Sequence, residues 1–251
     1  MAAMRIDVVT IFPAMIEDAC AHGIIGRARA RGLWQLGLWN PRDFTTDAHR
    51  TIDDRPYGGG PGMVMMAPPI AAALRAAHGA QAAAGMARGP TIYLSPTGVP
   101  LTHARVMELV SQRERALTLL AGRYEGIDQR VVDAEVDLEV SIGDFVVSGG
   151  ELPALLLIDA LVRQLPGALY DAESAAQDSF ADGLLDCPHY TRPEVWREVA
   201  VPGVLLSGDH AAIRRWRQAE AVIRTARRRP DLLHHRPLTG EERQLVGNEG
   251  R

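Results

Sequence analysis

Residues 91–126 read TIYLSPTGVPLTHARVMELVSQRERALTLLAGRYEG, and their rhythm decides the fold. TIYL at 91–94 is a short apolar run of strand type that stops at Ser95-Pro96-Thr97-Gly98. Residues 102–113 carry helical spacing, and ALTLLA at 116–121 is a second buried strand that ends on Gly122. The alternation continues with a short helix near 127–133, a strand at 136–140, a short apolar run at 145–147 and a helix over 151–163. Strand, loop and helix repeated in this way predict an α/β domain, a mostly parallel sheet covered on both faces.

Upstream, RIDVVTI at 5–11 reads as a further buried strand stopped by Pro13. Residues 14–31 are helical with a break near Gly23, 33–39 form a second strand, and 68–86 are an Ala-rich helix. Between them, residues 40–66 have no period and are crowded with Asp, Arg, Pro and Gly, the composition of a long functional surface loop. Downstream, Pro166-Gly167 closes the sheet domain. The expected division is therefore a domain over 1–166, a small polar linker over 167–183, and a C-terminal helical domain over 184–251. That last part is irregular to residue 208, then has a helix at 210–229 and a short one at 239–247.

Composition narrows the chemistry. The chain has 251 residues, 47% apolar and 23% charged, which is ordinary for a globular protein. Two cysteines, Cys20 and Cys187, exclude a disulfide framework, and no run of 18 uncharged apolar residues suggests a membrane span. With no signal-peptide shape at the start, a cytoplasmic protein is expected. All 27 basic residues are Arg. Every mechanism that needs a lysine amine is thereby removed. Charge is uneven: residues 209–251 hold ten Arg and six acids, against 17 Arg and 25 acids in the rest. The eight His show no His-Glu-x-x-His spacing, and Cys187-x-His189 offers only two ligands, so no metal site is assigned.

Four features carry chemistry. First, three glycine-bearing loops each follow a strand: Ser95–Gly98, Gly122–Gly126, and Ser141–Asp144 with Ser148–Glu151. Ligands of parallel sheets bind at the carboxyl ends of strands, and glycines there admit close backbone approach. Such loops suit an adenine ring and a small zwitterion; as an alternative, the glycines only make tight turns. Second, Asp53-Asp54-Arg55-Pro56-Tyr57 runs into Gly58-Gly59-Gly60-Pro61-Gly62. It is either a loop that closes on a ligand or a merely flexible one, and it lacks the Gly-Lys-Ser/Thr of a nucleotide-triphosphate site. Third, on a helical wheel Ile213, Trp216, Ala219, Ile223 and Ala226 form one apolar stripe. Arg214, Arg217, Arg224 and Arg228 fall within a neighbouring strip of roughly 80°. Repulsion along that strip calls for a negative partner, either a nucleic-acid backbone or acids of the protein itself. Fourth, Asp178 sits in the linker as a reactive acid or, more blandly, as a solvated one; Ser174 and Ser179 are neighbouring helix-cap candidates.

Together with Asn40–Thr45, Asp53–Met63, Tyr93–Pro96, Gly122–Asp128, Ser141–Asp144, Ser148–Pro153, Asp178–Phe180, Leu184–Glu194 and Arg214–Arg217, these features make the sequence resemble the bacterial tRNA (guanine-37-N1)-methyltransferases over nearly its whole length. The resemblance implies a deep trefoil knot of the SPOUT type, a homodimer with its active site between subunits, and a helical domain on the tRNA anticodon arm. It implies S-adenosylmethionine held by Tyr93, Leu94, Ser95, Pro96, Gly98, Gly122, Glu125, Ser141, Ile142, Gly143, Val147, Gly149, Gly150 and Pro153. Asp178 would be the base at guanine N1 and Arg163 the cation at O6; without the resemblance Arg163 reads equally as a helix-end arginine. Asp53, Arg55, Tyr57, Gly58 and Gly59 would read the guanines at positions 36 and 37, with Arg214 and Arg217 on the RNA. A magnesium dependence is also implied, with no site defined by the spacing of the acids. The chain departs from the family at Asp209, where Asn is common, and an acid there argues against a phosphate contact. The alternatives are a knotted RNA methyltransferase with another target atom, a non-catalytic RNA-binding factor and, less favoured, a nucleotide hydrolase.

Overall fold

The computed structural model describes residues 3–170, 175, 177–234 and 236–249. Part of the 167–183 linker, including Ser174, lies outside the described residues. The chain divides into two compact units that meet at residues 170 and 171.

The first unit is built on the strands β1 (Met4–Val9), β2 (Trp34–Trp39), β5 (Ala87–Pro100), β6 (Arg115–Ala121) and β7 (Leu138–Ser141). They form a five-stranded sheet of order β2-β1-β6-β5-β7, with every neighbouring pair parallel. A small antiparallel pair, β3 (Asp53–Asp54) and β4 (Val64–Met65), lies in the stretch expected to be loop. The strand period of two sends Ile92 and Leu94 into one core and Tyr93 into another. The first core packs α1 (Pro13–Cys20), α2 (Gly23–Ala30), α4 (His103–Ser111) and α6 (Glu151–Val162). The second packs α3 (Ala67–Ala83) and α5 (Gln129–Glu135). The sheet is thus covered on both faces, as the alternation predicts.

One local reading needs correction. Ser95–Gly98 is read as a loop after a strand ending at Leu94, yet β5 continues to Pro100. Leu94 and Val99 both pair with Val140, so the four residues between them bulge out of the ladder. The apolar run at 145–147 is loop: Phe145 and Val146 are exposed. Asp7, mid-strand in β1, is fully buried. It accepts hydrogen bonds from Arg5 (2.8 and 3.0 Å), Trp39 Nε1 (2.8 Å) and Gln81 Nε2 (2.9 Å), which compensate the loss of water.

The second unit begins irregularly, with a hairpin of β8 (Val195–Trp196) and β9 (Val199–Ala200). It continues as α7 (His210–Arg228), α8 (Pro230–Leu233) and α9 (Gly240–Glu249). The wheel chose the wrong face of α7. Its buried residues are Ala221, Val222 and Thr225, packed in a core with Leu184, Cys187, Leu233, Leu245 and Val246. Thr225 is buried because its hydroxyl is satisfied, accepting from Leu185 N (2.8 Å) and donating to Ala221 O (2.7 Å). Ile213 and Trp216 instead line an open groove, where Trp216 meets Tyr190 at 6.2 Å between ring centroids. Asp209 caps α7, accepting from Ala211 N (2.9 Å) and Ala212 N (3.0 Å), which accounts for an acid at that position.

Candidate functional site

At the carboxyl ends of β5, β6 and β7, the loops enclose one cavity. Of the fourteen residues expected around a cofactor, twelve line it: Tyr93, Leu94, Ser95, Pro96, Gly122, Glu125, Ser141, Ile142, Val147, Gly149, Gly150 and Pro153. Gly98 and Gly143 shape the walls from behind. A Cβ on Gly98 would meet the backbone of Glu139, and one on Gly143 would lie 2.7 Å from the Phe145 ring. The floor is close-packed: a Cβ on Gly150 would stand 2.6 Å from Ala121 Cα, and Gly150 N donates to Gly122 O at 2.8 Å. Glycine at 150 therefore lets the β6 end and the start of α6 touch backbone to backbone.

The lining alternates polar and apolar. Ser141 Oγ donates to Gly143 O (3.0 Å) and accepts from Gly143 N (3.2 Å), fixing the turn after β7. Ser95 Oγ shares a 2.6 Å hydrogen bond with Thr97 Oγ1, which donates to Glu139 at 2.9 Å. Burial, reinforced by the Glu139 charge, pushes the Tyr93 hydroxyl up, so it stays neutral. Arg123, Tyr124, Gly126, Val140, Phe145, Val146 and Ser148 also line the cavity and are not among the fourteen residues expected around the cofactor. Arg123, Tyr124 and Gly126 stand inside the Gly122–Gly126 word, which is the only signal that pointed to them.

The Asp53–Gly62 loop is fastened to this cavity. Glu125 N donates to Met63 O (2.9 Å), Met65 N to Gly126 O (2.9 Å) and Asp128 N to Met65 O (3.0 Å). Burial and then the neighbouring Asp53 carboxylate push the Tyr124 hydroxyl up, placing Asp53 beside the cavity rim. Gly58 and Gly59 have φ of 84° and 77°, and Tyr57 is fully exposed at the tip. Arg55 is exposed as well, its backbone N–H bonded to Asp54 Oδ1 at 2.7 Å.

The remaining two roles fall on different units. Arg163 caps the C-terminal end of α6, half-buried, with its N–H on Asp159 O at 3.1 Å. Asp178 lies in the second unit and lines a groove with Asp182, Asp186, His189, Arg214 and Arg217. Its segment is folded back on itself: Asp178 O accepts from Ala181 N (3.2 Å), and Ser179 Oγ accepts from Asp186 N (3.0 Å). The structure thus brings the linker acid and two arginines of the α7 strip into one groove. Arg224 is engaged inward instead, donating to Asp186 O at 3.1 Å. Both cysteines are buried, and burial pushes the Cys20 thiol up to about 11 and Cys187 upward, which keeps them unreactive.

Comparison with known proteins gives a family. The model described as "tRNA (Guanine-1)-methyltransferase TrmD" matches residues 4–235. A protein of Aromatoleum aromaticum named tRNA (guanine-N(1)-)-methyltransferase is 61% identical over 98% of this chain and 93% of its own length. Proteins of the same name from Methylobacillus flagellatus and Dechloromonas aromatica are each 58% identical over 97% of this chain, covering 92% and 95% of their own lengths.

Proposed function

This chain belongs to the tRNA (guanine-1)-methyltransferase family, and from that premise we propose that it methylates N1 of guanosine 37 in tRNA, beside the anticodon, using S-adenosylmethionine. The observation that carries the reading is the cavity at the strand ends, where twelve of the fourteen expected cofactor residues converge. Its lining fits such a ligand: Leu94, Ile142, Val147 and Pro153 offer apolar faces, glycine backbones admit close approach, and Ser95, Ser141 and Glu125 offer polar partners. The bound cofactor supplies a methyl group already activated on a sulfonium.

The protein's own task is the proton on N1. Asp178 takes it, so that the N1 lone pair is free for the methyl carbon. Negative charge then shifts toward O6, where Arg163 supplies the compensating cation. Asp178 and Arg163 belong to different units, which suits an active site assembled between two subunits. Leu152 and Leu156 on the apolar helix α6 are 52% and 55% exposed, a face suited to a second copy. A deep trefoil knot in the sheet domain, domain limits at 166 and 184, and a helical domain that grips the anticodon arm complete the proposal. Asp53, Arg55, Tyr57, Gly58 and Gly59 read the guanines at 36 and 37, while Arg214 and Arg217 meet the RNA backbone. A cytoplasmic location follows from a tRNA substrate; among the described residues no helix is long and apolar enough to cross a membrane.

The implied magnesium finds no ready seat. Among the described residues, the one group of three converging ligands is Asp186, Cys187 and His189. A thiol and an imidazole are softer donors than magnesium takes.

The test is methyl transfer from labelled S-adenosylmethionine to a tRNA transcript carrying guanines at 36 and 37. An adenine-37 transcript and the Asp178→Ala enzyme serve as controls. Label at guanine N1 that disappears with either change is the expected result. Label that persists without guanine 37 would move the target elsewhere.

A further inference from the structure

The cavity has two charged side chains in its lining, Arg123 and Glu125, one of each sign. That is the complement of a zwitterion, and the amino-acid end of S-adenosylmethionine is one. We propose that Arg123 receives the carboxylate of that end and that Glu151 is the positioning residue that presents Arg123 to it. The inference rests on the cofactor reading above.

Glu151 is a buried carboxylate, 2% exposed, in the first turn of α6. Burying such a charge needs compensation. Thr10 Oγ1 donates to its Oε1 at 2.9 Å, and the helix N-terminus adds a favourable field. Its Oε2 lies 3.6 Å from Arg123 Nη1, close enough for attraction and too far for a hydrogen bond. The Phe12 ring covers the other side, 5.0 Å from the guanidinium carbon. Phe12 is itself tied to this network, its N–H donating to Thr10 Oγ1 at 3.0 Å. Arg123 is thus held between a ring and a buried counter-charge.

The guanidinium so held keeps its donors in reserve. Among the described residues, none of its N–H groups makes a hydrogen bond, and the side chain is 28% exposed at the cavity. Two parallel donors at a cavity rim match a carboxylate, which accepts both in a fork. Gly149 makes room for the arrangement: a Cβ there would stand 2.6 Å from both Arg123 Nη1 and Glu151 Oε2. The glycine between Ser148 and Gly150 is therefore needed by the ion pair as well as by the turn. In this assignment the network sets how firmly the cofactor's tail is held.

The experiment is calorimetric titration of two ligands, S-adenosylhomocysteine and its decarboxylated analogue, into the full-length wild type, Arg123→Gln and Glu151→Gln. Wild type should bind the analogue about tenfold more weakly or worse, the value of one charge-assisted fork. Arg123→Gln should lose about that factor for S-adenosylhomocysteine and nothing for the analogue. Glu151→Gln should show a smaller loss, again confined to the ligand that carries the carboxylate. Arg123→Lys should recover part of the difference, because it keeps the charge without the fork. If the variants weaken both ligands equally, Arg123 only props the loop and the assignment is wrong. The wild-type ratio needs no variant: equal affinity for the two ligands overturns the assignment and leaves the cofactor reading intact. If wild type binds neither ligand, both fall.

Discussion

Gly62 lies directly against the Glu125 carboxyl, so the glycine-rich loop and the cavity share a wall. A Cβ at Gly62 would stand 2.8 Å from Glu125 Cδ, and φ at Gly62 is 80°. Gly59 has nearly the same φ, 77°, with nothing within 4 Å of the equivalent position. The pair separates backbone strain from coupling. Alanine at either site should cost about 1–2 kcal/mol through the left-handed conformation. Only Gly62→Ala should also displace Glu125 and weaken cofactor binding, by about fivefold or roughly 1 kcal/mol. Titration with S-adenosylhomocysteine checks this; equal affinity in the two variants would mean that loop and cavity are independent.

Arg214 and Arg217 line the groove with Asp178, whereas Arg224 is spent on the Asp186 carbonyl. Substituting either of the first two by Ala should weaken tRNA binding and flatten its dependence on salt. Every phosphate left without its arginine should remove about 0.7–0.9 from the slope of log affinity against log salt. Arg224→Ala should leave that slope unchanged and lower the stability of the second unit instead. Filter binding at several ionic strengths separates the two outcomes, and an unchanged slope in all three variants would take the RNA off this face.

How far the sequence could be read follows from what each element depends on. The strands around 5–11, 91–94 and 116–121 were legible because runs of buried apolar residues need only local pattern. The glycine words located the cavity because close backbone approach demands glycine wherever the partner lies. Arg123 was not legible as a site residue: its importance comes from Glu151, Thr10 and Phe12, which only tertiary folding brings to it. The face of α7 was misread for a related reason. A wheel counts Ile213 and Trp216 as inside and Thr225 as outside, and it has no means of knowing that Leu185 N will satisfy the Thr225 hydroxyl. Asp7 hides its three partners, Arg5, Trp39 and Gln81, in the same way.

Thr225 also supplies a stability test. Thr225→Val keeps the shape but removes the acceptor of Leu185 N and the donor to Ala221 O. The N–H of half-buried Leu185 then lacks its protein partner, at a cost of about 0.5–1.5 kcal/mol. Thr225→Ser keeps the hydroxyl and should recover most of that loss, less the missing methyl. Urea melts of the three proteins rank them, and a valine variant as stable as wild type would show that packing alone holds α7.

Glu242 makes the second unit sensitive to acid. It is 5% exposed and closes a capping box at the start of α9. Its side chain accepts from Thr239 N at 2.8 Å, while Glu242 N donates to Thr239 Oγ1 at 3.2 Å. Arg236 adds a fork of two 3.0 Å hydrogen bonds and Gln218 a third donor at 2.8 Å. The Arg236 fork, above all, holds the carboxyl down to about 2 from an ordinary 4.5. A carboxyl with its folded pKa lowered stabilises the fold fully above the unfolded value. That contribution fades as pH falls from about 4.5 toward about 2. Glu242→Gln should therefore cost on the order of 2–3 kcal/mol at neutral pH. Urea melts should show a gap between wild type and variant that is flat above about pH 5 and closes steadily below it. A gap that stays constant down to pH 3 would mean that Glu242 acts through packing and that its charge contributes little.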